Sequence, residues 1–138
     1  MLDQLYQQTI LAHNKAPVGY GDLSTSDKTA SGHNLICGDS IEVGLWFNGS
    51  TIADVGFNGE SCAICTASAS MLCEQVKNLT SEQAKQLAVE FIHFLKAEDN
   101  VLSTDNKLNI FAALHQIPTR QGCASLPWEA LQNALLSS

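Results

Sequence analysis

The sequence predicts a single α+β domain in which helices pack on one face of a small antiparallel β-sheet. Three observations support this fold class. The length of 138 residues suits one ordinary domain. Two segments of alternating apolar residues, joined by a turn sequence, lie in the first half of the chain, and helical periodicity dominates the second half. There is no internal repeat, low-complexity tract or second domain, so residues 1–138 are expected to form one unit.

A helix followed by a long loop is predicted at the start of the chain. The segment "LDQLYQQTILAHN" carries apolar residues at helical spacing. We expect this helix to end near His13, because Pro17 and Gly19 follow it. Residues 17–35 are rich in Gly, Ser, Thr and Asp, which is typical of an extended loop.

A β-hairpin is predicted next. "SIEVGLWF" alternates, which places Ile41, Val43, Leu45 and Phe47 on one buried face of a strand. "NGS" is a hairpin turn signal, and "TIADVGFNG" alternates in the same way to give the partner strand.

The remaining elements are predicted to be helices. Small residues dominate "CAICTASASMLCEQV", which favours a tightly packed helix, and "SEQAKQLAVEFIHFLK" is amphipathic, with Ser81 as its expected N-cap. A polar connection, "AEDNVLSTDNK", leads to a short helix, "LNIFAALHQI", that Pro118 stops. The last helix, "SLPWEALQNALL", is expected to be capped by Ser125 and to hold Pro127 in its first turn.

Composition and charge exclude several classes of function. The formal net charge of −7 argues against a protein that binds nucleic acid or anchors to anionic membrane, since both need a basic surface. No apolar run reaches the roughly 18 residues of a membrane span. The start of the chain lacks the basic and apolar regions of a secretory signal, so we expect a cytoplasmic, reducing location.

The cysteines predict a metal site. Five cysteines fit a disulfide framework poorly, and in a reducing compartment such clusters more often bind metal or catalyse. Cys37 and Asp39 point to the same side of an extended segment, and Cys62 follows Cys37 by 62 − 37 = 25 residues, across the hairpin. Cys62 and Cys123 each precede a predicted helix, whose N-terminal N–H groups favour a thiolate. Three thiolates and a carboxylate predict a tetrahedral site for Zn²⁺ or iron.

The other cysteines have different expected roles. Cys73 lies eleven residues after Cys62, or ~16 Å along a helix, so it is assigned to the core. Cys65 lies one turn after Cys62 and is interpreted as a neighbour of the site, with ligation left open as an alternative.

The histidines are expected to be structural for the most part. His13 is expected to cap a helix end or to meet its dipole, and His93 and His115 are expected to pack on apolar helix faces. His33, close before Cys37, is a weak alternative ligand.

Four segments resemble a known family. "LYQQTILAH", "CGDSIEV", "IADVGFNGESCAICTASASM" and "RQGCASLPWEAL" are similar, in this order, to the IscU/SufU family of iron–sulfur cluster assembly proteins, which also forms the N-terminal domain of NifU. "CGD" alone is a weak signal, but the ordered set is highly specific. The resemblance runs from residue 2 to about residue 135 and implies the family's α+β fold.

The resemblance is to the SufU branch more than to IscU. The spacing from Cys62 to Cys123, 123 − 62 = 61 positions, is longer than IscU proteins usually have. Gly122 occupies the position where IscU proteins carry a histidine, and Arg120 lies three residues before Cys123, as in SufU-type proteins. Position 65, commonly Ser in relatives, is Cys here.

The resemblance implies a site and two functions. Cys37, Asp39, Cys62 and Cys123 match the family's metal or cluster ligands, and Arg120 would offset part of the negative charge of three thiolates and a carboxylate. A pyridoxal-phosphate-dependent cysteine desulfurase is the implied partner, and Cys37 the implied acceptor of its persulfide sulfur. The protein would then be a zinc-dependent sulfurtransferase. Alternatively it would be a non-enzymatic scaffold for iron in a [2Fe–2S] cluster, later passed to apo-proteins or other assembly factors. A purely structural zinc protein is a third, less favoured alternative.

Overall fold

The structure is a computed structural model, and it describes residues 2–34, 38–96 and 106–136. Within these ranges it has a three-stranded antiparallel sheet of order β1-β2-β3, with helices packed on it, which confirms the predicted α+β class. No helix in these ranges has both the length and the apolar character needed to span a bilayer. The elements in chain order are α1 (Leu2–Lys15), β1 (Lys28–Asn34), β2 (Asp39–Asn48), β3 (Thr51–Glu60), α2 (Ala63–Val76), α3 (Ser81–Lys96), a 3₁₀ helix (Lys107–Gln116) and α4 (Pro118–Leu136).

The predicted hairpin is confirmed. β2 and β3 pair in antiparallel fashion around a turn at Gly49, where φ is +65°. Ile41, Val43 and Leu45 are buried beneath the helices, as their alternation predicts, and Phe47 is half-buried. The hairpin therefore returns the chain from Asp39, at the start of β2, to the residues that follow β3.

The sequence-based prediction of a continuous loop over residues 17–35 was wrong, because residues 28–34 form β1. This strand pairs with β2, with Gly32 opposite Ile41. Its polar and small residues alternate between half-buried and exposed, so it has no apolar pattern to reveal it. A Cβ at Gly32 would lie 2.9 Å from Leu126 Cδ1, and α4 therefore packs directly on this strand.

The segment before β1 packs against β3 and against the face of the sheet opposite the helices. It runs along the edge of β3 that does not pair with β2, where Gly21 N donates to Phe57 O at 3.0 Å and Phe57 N donates to Gly19 O at 2.9 Å. Leu23 then packs against Gly44 and Gly56 on the face away from the helices. The core thus lies between the sheet and the helices on its other face.

Two helix ends differ slightly from the predictions. α1 continues to Lys15, two residues beyond the predicted end at His13. α3 has the predicted bounds, but its N-terminus is capped by Thr80 instead of Ser81. Thr80 Oγ1 accepts from Gln83 N at 3.1 Å while Thr80 N donates to Gln83 Oε1 at 3.0 Å, a reciprocal capping box.

The C-terminal part differs more. The short predicted helix before Pro118 is a 3₁₀ helix, and the connection before it lies mostly in residues 97–105, outside the described residues. α4 begins at Pro118, seven residues before Ser125. The prediction that Ser125 caps this helix was therefore wrong. Pro127 lies inside α4, where it has no N–H to donate to the carbonyl of Cys123, four residues earlier. Cys123 therefore lies within a helix and not before one.

Candidate metal site

Asp39, Cys62 and Cys123 converge in space. One ligand atom from each, a carboxylate oxygen and two sulfurs, lies within 4.8 Å of the other two. The three residues come from the first position of β2, the N-cap of α2 and the second turn of α4. Cys37, the fourth predicted ligand, lies outside the described residues.

Asp39 is fixed by its position at the outer end of the hairpin. It is only 3% exposed, and its Oδ1 accepts a hydrogen bond from Cys62 N at 2.7 Å. Its other oxygen, Oδ2, lies 3.8 Å from Cys62 Sγ. The carboxylate is thus held by the backbone through one oxygen and presents the other to sulfur.

Cys62 is the N-cap of α2, directly before the helix as the sequence predicts. Its backbone is extended, and its Sγ accepts from Cys65 N at 3.5 Å. The sulfur therefore lies at the positive end of the α2 helix dipole, facing this amide. Asn14 ties α1 to the same helix start, since its Nδ2 donates to Ala63 O at 2.9 Å.

Cys123 is fully buried in α4, so the prediction that it lies at an electropositive helix end was wrong. Its position is set by contacts between α2 and α4. Ser68 Oγ donates to Ala124 O at 2.5 Å, and Trp128 Nε1 donates to Ser68 Oγ at 3.1 Å. All three partners are fully buried, so this pair of hydrogen bonds fixes the residue next to Cys123. In the sequence Ser68 is one serine among many small residues of α2, so its contact with α4 has no distinct local signal.

Tyr6 on α1 is a further residue near this site for which the sequence predicts no role. Its hydroxyl is buried, and the pKa of the phenol is raised to about 12. Burial is the main cause, and the charges of Cys62 and Cys123 raise the pKa further while that of Arg120 lowers it. Arg120 itself is exposed, and its role as a supporting charge stays a prediction.

The other two cysteines lie in the core. Cys73 is 2% exposed, as predicted for a core residue, and burial raises the pKa of its thiol to about 12. The Cys65 side chain is fully buried, although its amide faces Cys62. Neither belongs to the group of converging ligand atoms in the described part of the chain.

The histidines are placed outside that group as well. His13 Nδ1 lies 2.6 Å from Ser70 Oγ, and its Nε2 lies 3.7 Å from Glu74, so it links α1 to α2. His115 packs on Phe94, which confirms the predicted packing role. His93 is exposed, because its position on α3 lies outside the buried face of the helix. The prediction that His93 packs on an apolar helix face was therefore wrong. His33 lies exposed on β1.

The Cys65→Ser variant tests the assignment of Cys65. We expect it to retain full metal content, because the amide that donates to Cys62 Sγ is unchanged by the substitution. Metal per chain would be measured by elemental analysis of protein purified without added metal. Loss of metal from this variant would show that Cys65 is a ligand.

The donor set suits a divalent metal such as zinc. Zinc binds cysteine sulfur at about 2.3 Å and carboxylate oxygen at about 2.0–2.2 Å, usually with four ligands in a tetrahedron. Donor atoms in such a tetrahedron lie roughly 3.5–4 Å apart. The three described donors, all within 4.8 Å of one another, are close to this spacing.

Comparison with known proteins shows the family of this chain. Residues 5–96 match the family model described as the NifU-like N-terminal domain. The chain is 30% identical over 138 residues to the iron–sulfur cluster assembly scaffold protein IscU of Streptococcus pyogenes serotype M1, covering 99% of this chain and 86% of that protein. It is 32% identical over 135 residues to the zinc-dependent sulfurtransferase SufU of Bacillus subtilis (strain 168), covering 97% of this chain and 91% of the relative.

The fold is shared with solved structures. The crystal structure of FiSufU, a SUF-system protein from Fervidobacterium islandicum AW-1, superposes with a TM-score of 0.86 at 28% identity, covering 96% of this chain and 97% of that one. An N-terminal NifU-like protein from Brucella abortus superposes with a TM-score of 0.82 at 20% identity, covering 96% of this chain and 93% of the other, which supports the fold alone. The chain therefore belongs to the NifU-like N-terminal domain family, as an iron–sulfur cluster assembly protein of the IscU and SufU type.

Proposed function

We propose that this protein accepts sulfur from a cysteine desulfurase at a zinc site formed by Cys37, Asp39, Cys62 and Cys123. It then supplies that sulfur to iron–sulfur cluster assembly in the cytoplasm. The observation that carries the proposal is the convergence of Asp39, Cys62 and Cys123. The similarity to a zinc-dependent sulfurtransferase along 97% of the chain supports it.

The described ligands would differ in how readily each dissociates from the metal. Zinc, when bound, would keep the cysteines as thiolates at neutral pH. Cys62 and Cys123 are held by helices, whereas Asp39 is the only oxygen donor among the proposed ligands. An oxygen donor suits the ligand that exchanges, because soft thiolates bind zinc more strongly.

Cys37 is the proposed sulfur acceptor. Its thiolate attacks the outer sulfur of the desulfurase persulfide. A new S–S bond to Cys37 forms, the S–S bond to the desulfurase cysteine breaks, and that cysteine leaves as a thiolate with the electron pair. Gly38, the next residue, has φ of +71°, a conformation that glycine adopts readily, and none of the residues that the structure describes lies within 4 Å of its Cβ position.

A scaffold for cluster assembly is the second candidate, favoured by the 30% identity to an IscU scaffold protein over 99% of the chain. The residue before Cys123 argues for the first candidate. A Cβ at Gly122 would lie 3.1 Å from Asn34 Nδ2, the one atom within 4 Å among the residues that the structure describes. Position 122 therefore lies near the amide of Asn34, and Gly122 supplies no imidazole that could serve as a further cluster ligand.

The desulfurase cycle distinguishes the two functions. We expect the zinc-loaded protein to increase alanine formation from cysteine by a cognate desulfurase, because removal of the persulfide would otherwise limit turnover. Chelator-treated protein should give little stimulation, and restored zinc should recover it. Cys73→Ala, which alters only a buried core thiol, serves as the matched control and should stimulate like the wild type.

The scaffold function would be supported by the opposite pattern. In that case the zinc form gives no stimulation, and iron-loaded protein acquires visible absorption and passes a cluster to an apo-ferredoxin.

A further inference from the structure

Ser68 and Ser70 are fully buried polar residues on α2 whose hydrogen bonds tie this helix to different neighbours. Residues two apart in a helix point to nearly opposite sides, about 200° apart. Ser70 faces α1 and the residues after it, where its Oγ lies 2.6 Å from His13 Nδ1 and accepts from Val18 N at 2.8 Å. Ser68 faces the other way, towards α4.

The hydrogen bonds of Ser68 meet α4 at the turn that carries Cys123. Its Oγ donates to Ala124 O at 2.5 Å and accepts from Trp128 Nε1 at 3.1 Å. A buried hydroxyl with both an acceptor and a donor as partners is held in one orientation. α4 has one fewer helical hydrogen bond of its own here, because Pro127 has no N–H to donate to Cys123 O. Ser68 therefore restrains a turn of α4 that the helix itself restrains less.

Two helices connect this contact to the proposed ligands. Cys62 is the N-cap of α2, 68 − 62 = 6 residues before Ser68, and Cys123 directly precedes Ala124. The bond from Ser68 to Ala124 thus sets how α2 and α4 lie against each other close to both sulfurs. Metal sites tolerate changes of only about 0.2 Å in each bond to a ligand. A small shift between these two helices would therefore disturb the spacing of the sulfurs that a metal requires.

We propose that Ser68 is a positioning residue that holds the sulfurs of Cys62 and Cys123 at metal-binding distance before any metal binds. The inference rests on the proposed ligand set and deepens the proposed function, because it assigns part of the site's zinc affinity to a contact between helices. A site that is assembled in advance loses less conformational freedom on binding and so binds more tightly. Ser68 acts on zinc affinity through α4, without contacting the metal.

The Ser68→Ala variant removes the hydroxyl, and Ser70→Ala is the matched control. Both serines are fully buried on α2 with two hydrogen-bond partners, but the partners of Ser68 lie on α4 and those of Ser70 do not. Either substitution leaves buried groups unpaired and should lower the Tm of the metal-free protein by about 5 °C. Only Ser68→Ala should also weaken zinc binding, by about tenfold. Zinc affinity would be measured by competition with a chromophoric chelator, at a temperature where both variants are folded.

Three further measurements separate positioning from a general effect on stability. The visible absorption bands of bound Co²⁺ report the geometry of the ligands, so they should change in Ser68→Ala and match the wild type in Ser70→Ala. Ser68→Thr keeps the hydroxyl, and it should retain wild-type zinc affinity even though its extra methyl group lowers Tm. In the metal-free wild type, the indole proton of Trp128 should exchange slowly with solvent in NMR spectra, which tests the contact without any variant.

The outcomes distinguish this inference from the function that it deepens. Unchanged zinc affinity in Ser68→Ala, an equal loss in Ser70→Ala, or a rapidly exchanging indole proton overturns the positioning role even if the wild type stimulates the desulfurase. A selective loss of affinity in Ser68→Ala supports that role even if the wild type never accepts sulfur, a result that overturns only the sulfurtransferase function. A wild type that binds neither zinc nor cobalt overturns the ligand set and the positioning role together.

Discussion

Replacement of Cys123 by alanine is expected to abolish metal binding and to remove the stability that zinc contributes. A ligand present at about 1,000 times its Kd stabilises the folded state by about 4 kcal/mol. For a chain of this length that corresponds to a Tm difference on the order of 10 °C. Wild-type protein should show this difference between its zinc-loaded and chelator-treated forms. In Cys123→Ala it should be close to zero, because one of the two helix-held sulfurs is gone. Elemental analysis and thermal unfolding of both forms are the measurements.

Cys73→Ala is the control that separates metal loss from damage to the core. Both cysteines are buried, so either substitution leaves a small cavity and lowers Tm in the metal-free form. Only Cys123→Ala should also lose the zinc-dependent increase in Tm. Full metal occupancy in Cys123→Ala would contradict the proposed ligand set.

Gly59→Ala should give the largest loss of stability that does not involve a ligand. Gly59 has φ of +123°, a conformation that residues with a side chain rarely adopt. Its Cβ would overlap the carbonyl oxygen of Ser40, on the neighbouring strand. Strain in the backbone and forced separation of β2 from β3 should together lower the free energy of unfolding by about 3 kcal/mol or more. The site should weaken too, since these strand ends carry Asp39 and lead into Cys62.

Chemical denaturation of the metal-free protein measures this effect without a contribution from zinc. Gly21→Ala is the control, because its φ is not positive and no residue in the described ranges lies within 4 Å of its Cβ position. We expect it to change stability by no more than about 0.5 kcal/mol. Equal stability of the Gly59→Ala variant and the wild type would mean that β2 and β3 do not approach as closely as described.

The hairpin and the described part of the site were predictable because their signals are local. Alternation of Ile41, Val43 and Leu45 shows a strand with one buried face. A hairpin must bring its two ends together, so the segment of Cys37 and Asp39 was expected to lie near Cys62, and the structure places Asp39 there. The position of Cys62 directly before a helix of small residues was also predictable, because small residues continue for several turns after it.

The parts that were missed depend on contacts between distant segments. β1 has little apolar character, and it becomes a strand because β2 offers it hydrogen bonds and α4 packs on Gly32. The start of α4 was predicted wrongly because proline is usually found in the first turn of a helix, whereas Pro127 lies inside α4. The buried hydroxyl of Tyr6 carries no sequence signal, because its isolation arises only when α1 packs on the core.

The most direct test of the sulfur-transfer account is to locate the sulfur itself. Zinc-loaded protein would be incubated with a cysteine desulfurase and cysteine, trapped with an alkylating reagent, digested and analysed by mass spectrometry. The account predicts one added sulfur atom on the peptide that contains Cys37, with none on any peptide of the folded Cys37→Ala variant. Sulfur found on no cysteine of the wild type, or transferred equally well to the Cys37→Ala variant, would contradict it.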